Sequence, residues 1–268
     1  MSRTQDDPPP VGLKSLALPS EHGGWGMVVE PLLLGLLVAP SRGGAGVALA
    51  GLFAFLARHP LKLALADRLQ GRRTPRTAAA EGVAAAYGAV ALGGLALAAR
   101  GTGPWWIPLA AAAPLAAVQF VHDVRLRGRQ VLPELLGSVA LTSLAAAVLM
   151  AGGWAPRIAV AAWGLLAAKG ASAVLYVRAR LRLDRGQPAG RATAIAGHVA
   201  GTLGAAALAA GALAPRLAVA AFALLLARAA FGLSPWHRAV RPQVVGLTEM
   251  AWGFAFVLAL ALGYGLGL

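Results

Sequence analysis

Lys169, Ser172, Tyr176, Arg180 and Asp184 follow one another at steps of three, four, four and four within a mostly apolar stretch. At 3.6 residues per turn, those steps place all five on one face of one helix. A second group precedes it: Arg58 and Lys62 at i,i+4, His59 beside them, and Asp67 just beyond. Two basic helix ends with a carboxylate apiece would suit a polyanion such as a diphosphate. Arg58, His59, Lys62, Lys169 and Arg180 would neutralise its oxygens, and Asp67 and Asp184 could hold a bridging Mg²⁺. The reading requires the two helix ends to face one another across a shared cavity.

Other ionisable groups interrupt the apolar runs. Glu21 and His22 stand just before the first run and Glu30 lies inside it; Gln119, His122 and Asp123 close the fourth. Glu134 opens the fifth, with Ser138 and Thr142 at four-residue steps; His198 and Glu249 lie in the seventh and ninth. An ionisable side chain in hydrocarbon is expensive and faces a bundle interior or a wet cavity. Together these residues call for one polar interior rather than many separate accommodations. Several chemistries are absent: no Walker loop, GxGxxG after a strand, HExxH or GxSxG elbow occurs. With no cysteine, the chain has no disulfide, no thiol nucleophile and no Cys-based metal site. No two of its five histidines have i,i+3 or i,i+4 spacing.

The elements that must carry these groups follow from composition. Of 268 residues, 58% are hydrophobic and 13% charged, and the mean hydropathy is +0.68. That excludes a disordered chain and leaves too little polar surface for a soluble enzyme. Apolar runs near 24–41, 43–66, 78–99, 104–121, 131–151, 155–177, 191–213, 215–233 and 243–266 predict about nine transmembrane helices. All but five of the 24 Lys and Arg fall in the tail or in alternate connections, the exceptions being Arg42, Arg100, Arg157, Arg216 and Lys169. By the positive-inside rule the N-terminus is then cytoplasmic and the C-terminus outside, in the cell (inner) membrane. The same alternation explains the net charge of +14 without a nucleic-acid partner. Residues 1–18 read as a polar, disordered tail and 19–268 as one transmembrane domain.

The connection Asp67-Arg68-Leu69-Gln70-Gly71-Arg72 is echoed by Asp184-Arg185-Gly186-Gln187, which suggests a 4+4+1 internal repeat. Pro19-Ser20-Glu21-His22-Gly23-Gly24-Trp25-Gly26, with Glu30-Pro31, resembles the signature of the YwiC-like family of bacterial membrane proteins. Ala66-Asp67-Arg68 to Pro75-Arg76-Thr77, Leu132-Pro133-Glu134-Leu135, and Leu247 to Trp252 are similar to its later blocks. More distantly, nine spans with paired motifs after the second and sixth resemble the UbiA superfamily of intramembrane prenyltransferases, although each motif here carries a single acid. That resemblance implies a UbiA-like all-α bundle holding Mg²⁺ and a prenyl diphosphate. It would make Tyr176 a donor to the leaving-group oxygen and Glu21 or His22 a general base. His122, Glu134, His198 and Glu249 would complete the ligand-binding set. The expected function is binding of an anionic lipid-linked ligand, with prenyl transfer as its enzymatic form. A small-solute or anion transporter and a non-catalytic membrane partner stand as alternatives, and the residues do not decide the oligomeric state.

Overall fold

The computed structural model describes residues 13–18, 22–125 and 130–267. Every regular element among them is helical: α1 (Leu13–Ala17), α2 (His22–Val38), α3 (Arg42–Leu69), α4 (Pro75–Ala98), α5 (Trp106–Val124), α6 (Val131–Ala151), α7 (Pro156–Leu183), α8 (Arg191–Ala210), α9 (Arg216–Gly232) and α10 (Pro242–Leu266). The nine apolar runs correspond to α2–α10. Seven of these helices are long and apolar enough to cross a membrane, and Gly24–Val38 within α2 is apolar but shorter.

Local chemistry sets the ends. Ser41 accepts from the Gly44 N–H at 2.9 Å, and Thr74 forms a capping box with Thr77 ahead of α4. Proline occupies the first turn of α4, α7 and α10, where its missing N–H costs nothing. α3 and α7 have 28 residues each. At 1.5 Å per residue each is about 42 Å long, more than the roughly 30 Å of hydrocarbon in a bilayer. Their arginine-bearing C-terminal turns therefore extend toward the polar interface.

α6 is the hub. Of its apolar stretch 72% is buried, against 11% for α4. It packs against α2, α3, α5 and α7. One apolar core joins α2, α6, α7, α9 and α10 through Leu34, Leu149, Leu165, Phe222, Phe256 and Leu260, with the Phe222 and Phe256 rings edge-on at 4.9 Å. A second joins α2, α3 and α6 through Val28, Val47, Phe55, Leu144 and Val148. α3 and α4 form the closest helix pair. Gly46 and Gly94 lie so near the opposing backbone that a Cβ on either would collide with it, the small-residue contact by which helices associate where no hydrophobic effect separates them from lipid.

Two expectations change. Within the segment read as a polar tail, α1 docks on α3 and α4 and buries Leu16 against Ala64 and Ala80. The similarity of the two connections reflects helix capping. Gly71 and Gly186 both have φ near +70° (69° and 68°). At each, the glycine N–H bonds the carbonyl three residues back, and the next N–H bonds the carbonyl five back: Gly71 to Arg68 and Arg72 to Asp67, Gly186 to Leu183 and Gln187 to Arg182. This is the Schellman arrangement, which selects glycine for its left-handed backbone. Aligned on that glycine, Asp67 lies four residues ahead and Asp184 only two, so the two aspartates occupy different places on their helices. The helix packing differs as well. α8 packs against α9, whereas α4 and α5, their counterparts in a 4+4+1 repeat, share no extensive interface among the described residues.

Candidate functional site

The α7 stripe faces the interior as its spacing requires, and its partners come from α2, α9 and α10. Lys169 Nζ donates to both carboxylate oxygens of Glu30, at 2.8 and 2.6 Å, with the two side chains 7% and 8% exposed. Gly253 of α10 makes room for the pair: a Cβ there would overlap Glu30 Oε1 and crowd Lys169 Nζ. Further along α7, the Arg228 guanidinium pairs with Glu249 and lies over the Tyr176 ring at 4.0 Å, with Trp252 at 5.9 Å. Gly232 meets the Tyr176 hydroxyl where any side chain would clash. His198 packs edge-on against Tyr176 at 6.2 Å, and its Nδ1 is 2.8 Å from the Ala194 carbonyl. Nearest the arginine-rich end, Arg180 pairs with Asp184 at 3.2 Å and donates to the carbonyls of Gly232 and Arg238. His237 Nε2 approaches Asp184 at 3.6 Å.

This column is balanced. Lys169, Arg228 and Arg180 each have a carboxylate, so a polyanion would have to displace an existing partner. Removing one member of such a buried pair costs about 3–5 kcal/mol. The column therefore acts as a brace across α2, α7, α9 and α10.

Arg58, Lys62 and Asp67 lie elsewhere. α3 and α7 share no extensive interface among the described residues, and α6 packs against both. Arg58 Nε is 3.5 Å from Asp123 Oδ2 of α5, and His59 Nε2 is 3.1 Å from the Ser15 carbonyl of α1. Lys62 is half-buried without a partner among the described residues. Asp67 accepts from the Thr77 hydroxyl at 3.0 Å, bracing the α3–α4 turn. The expected convergence of the second and sixth spans on one ligand is thus not found. The reason is that capping, rather than a shared site, makes their ends alike. Glu134 pairs with Arg178 at 2.7 Å, and His122 bonds its own helix at the Val118 carbonyl. Glu21 and the side chain of His22 lie outside the described residues. Among those described, no three His, Asp or Glu side chains gather; Asp67 and Asp184, the carboxylates expected to hold Mg²⁺, sit at the ends of different helices with partners of their own, Thr77 for Asp67 and Arg180 for Asp184.

A cavity of about 500 Å³ opens beside Arg58, between α3, α4, α5 and α6. Its wall is made of small and apolar side chains, among them Gly51, Gly88, Ala112, Ala116, Phe120 and Leu144; Arg58, Gln119 and Ser143 are its polar members. The Ser143 hydroxyl already bonds the Ala140 carbonyl at 2.7 Å. Because α4 and α5 share no extensive interface among the described residues, the cavity has a side facing the surroundings of the bundle between them. Sequence patterns did not reveal this space, since small residues carry no signal beyond a tolerance for close packing. Arg228 and Gly253 were also missed. The available signals were an arginine inside the α9 run and a glycine one turn after Glu249.

These features define a polytopic helical membrane protein with a charge-paired interior and a lateral apolar cavity. Residues 18–149 match the family model described as YwiC-like protein, so this part of the chain is similar to that family. No curated protein and no solved structure matches the chain. The match takes in the whole cavity wall together with Glu30, Arg58 and Asp123; Lys169, Arg228, Glu249 and the block from Leu247 to Trp252 lie beyond it.

Proposed function

We propose that the protein binds a membrane amphiphile, its tail in the α3–α6 cavity and its polar head beside Arg58. The observation that supports this reading is a ligand-sized apolar space that borders the gap between α4 and α5. Its volume falls within the roughly 300–1,000 Å³ usual for small-molecule sites. A ligand dissolved in lipid could enter laterally without crossing water. Arg58 and, one turn on, Lys62 supply donors at the arginine-rich end, which the positive-inside rule assigns to the cytoplasmic face of the inner membrane. An isoprenoid carried on a polar head, the ligand class anticipated from sequence, has the required shape. Prenyl transfer would need further groups at this cavity, because Tyr176 belongs to the α7 column.

The absence of cysteine allows a direct test. With Ala116→Cys as the sole thiol and the protein in nanodiscs, farnesyl-tailed compounds should slow alkylation at position 116, and tail-free pyrophosphate should not. Unchanged alkylation at saturating farnesol and farnesyl diphosphate would overturn the reading.

A further inference from the structure

Of the polar side chains that border the α3–α6 cavity, Ser143 has its proton committed to the Ala140 carbonyl, whereas Gln119 and Arg58 are unspent. Gln119 belongs to the face of α5 that looks into the space, since Ala112, Ala116 and Phe120 on that face border it as well. Its amide makes no hydrogen bond among the described residues, yet it is not sealed. In contrast to the buried, unbonded Asp123 Oδ2, both amide atoms keep accessible surface. Gly137 of α6 leaves room for the amide, because a Cβ there would overlap it.

Arg58 lies at the same end of the cavity. Asp123, one turn after Gln119 on α5, has its carboxylate 3.5 Å from Arg58 Nε. That carboxylate matches the guanidinium charge but is too distant for a good hydrogen bond. The N–H groups of Arg58 are therefore unbonded among the described residues, on a side chain 26% exposed.

Two features of this end select a head. It is rich in donors: every N–H of the guanidinium and both of the amide stand against the amide carbonyl and the Ser143 oxygen. It is also neutral, with Arg58 and Asp123 summing to zero. A carbonyl takes these N–H groups and adds no charge to a site with little water around it. A diphosphate would bring two or more negative charges to a guanidinium already matched by a carboxylate. A plain hydrocarbon would cover amide and guanidinium and leave both unbonded.

We propose that the cavity takes a long-tailed lipid whose head is an uncharged ketone or quinone carbonyl, held by N–H donation from Gln119 and Arg58, with Gln119 setting the preference for that head. The proposal rests on the amphiphile reading above and narrows its ligand class.

The test compares heads on one tail. Tritiated farnesylacetone, the hydrocarbon in which a methylene replaces its ketone oxygen, and farnesyl diphosphate are each titrated onto the full chain in nanodiscs, at matched bilayer concentrations and against empty discs. Farnesylacetone should bind roughly tenfold or more tighter than the other two, the scale of hydrogen bonds from an amide and a guanidinium. Gln119→Leu, which keeps the volume without the polar atoms, should weaken ketone binding about fivefold and leave hydrocarbon binding unchanged. Hydrocarbon or diphosphate matching or exceeding the ketone on the native protein would overturn the inference and leave the amphiphile reading standing. A folded Gln119→Leu that keeps the full preference would do the same. Binding by none of the three would overturn both. The comparison on native protein decides the head class even if the variant does not fold.

Discussion

Replacing Lys169 by Met should destabilise the bundle far more than its similar volume suggests. Lys169 Nζ makes two short hydrogen bonds to Glu30 where both side chains are more than nine-tenths buried. Its removal leaves a carboxylate in a dry interior, with Gly253 pressed against it on α10. A charge stranded in this way costs about 3–5 kcal/mol, and Glu30→Gln should fall in the same range by stranding the ammonium. The double variant Glu30→Gln/Lys169→Met removes both charges from similar volumes, and replacing a whole buried pair by neutral groups is often close to neutral. The double variant should therefore be more stable than either single one, with a coupling of roughly 2–4 kcal/mol. Equilibrium unfolding by SDS in mixed micelles, followed by circular dichroism, measures all four corners of the cycle. Losses that add within about 0.5 kcal/mol would refute the pairing, since additivity marks groups that do not interact.

Two further predictions concern backbone positions. Gly253→Ala should cost about 1–3 kcal/mol in the same assay, because its methyl overlaps the Glu30 carboxylate, and much of that cost should vanish in a Glu30→Ala background. Ala212, at φ 53°, holds the left-handed position at the end of α8 that glycine prefers, so Ala212→Gly should raise stability by roughly 1 kcal/mol, read as a higher unfolding midpoint.

How far the sequence reached can be seen residue by residue. The helical period alone put Lys169, Ser172, Tyr176, Arg180 and Asp184 on one face, and the cost of an unpaired carboxylate implied a partner for Glu30, whereas Glu249, expected among the ligand-binding residues, pairs with Arg228. The partner helix was misjudged because two Schellman turns look like a functional repeat: glycine at a left-handed position with polar neighbours is the same string whether it ends a helix or frames a site. The Asp67-to-Thr77 block shows the same ambiguity. Its aspartate accepts from a threonine of the next helix's capping box, a contact between consecutive elements that holds a turn. The cavity was illegible for a different reason. It exists where α4 and α5 fail to meet, and periodicity marks the face a helix buries without naming the helix that covers it.

The proposed ligand's tail would occupy the space bounded by Gly88, Ala112, Ala116 and Leu144. Native mass spectrometry of protein released gently from its own membrane tests it most directly, with Ala112→Phe/Ala116→Phe as the filled control. The expected result is a discrete, apolar adduct on the native chain that is lost from the filled variant while other lipid adducts persist. Indistinguishable adduct patterns for two equally folded proteins would contradict it.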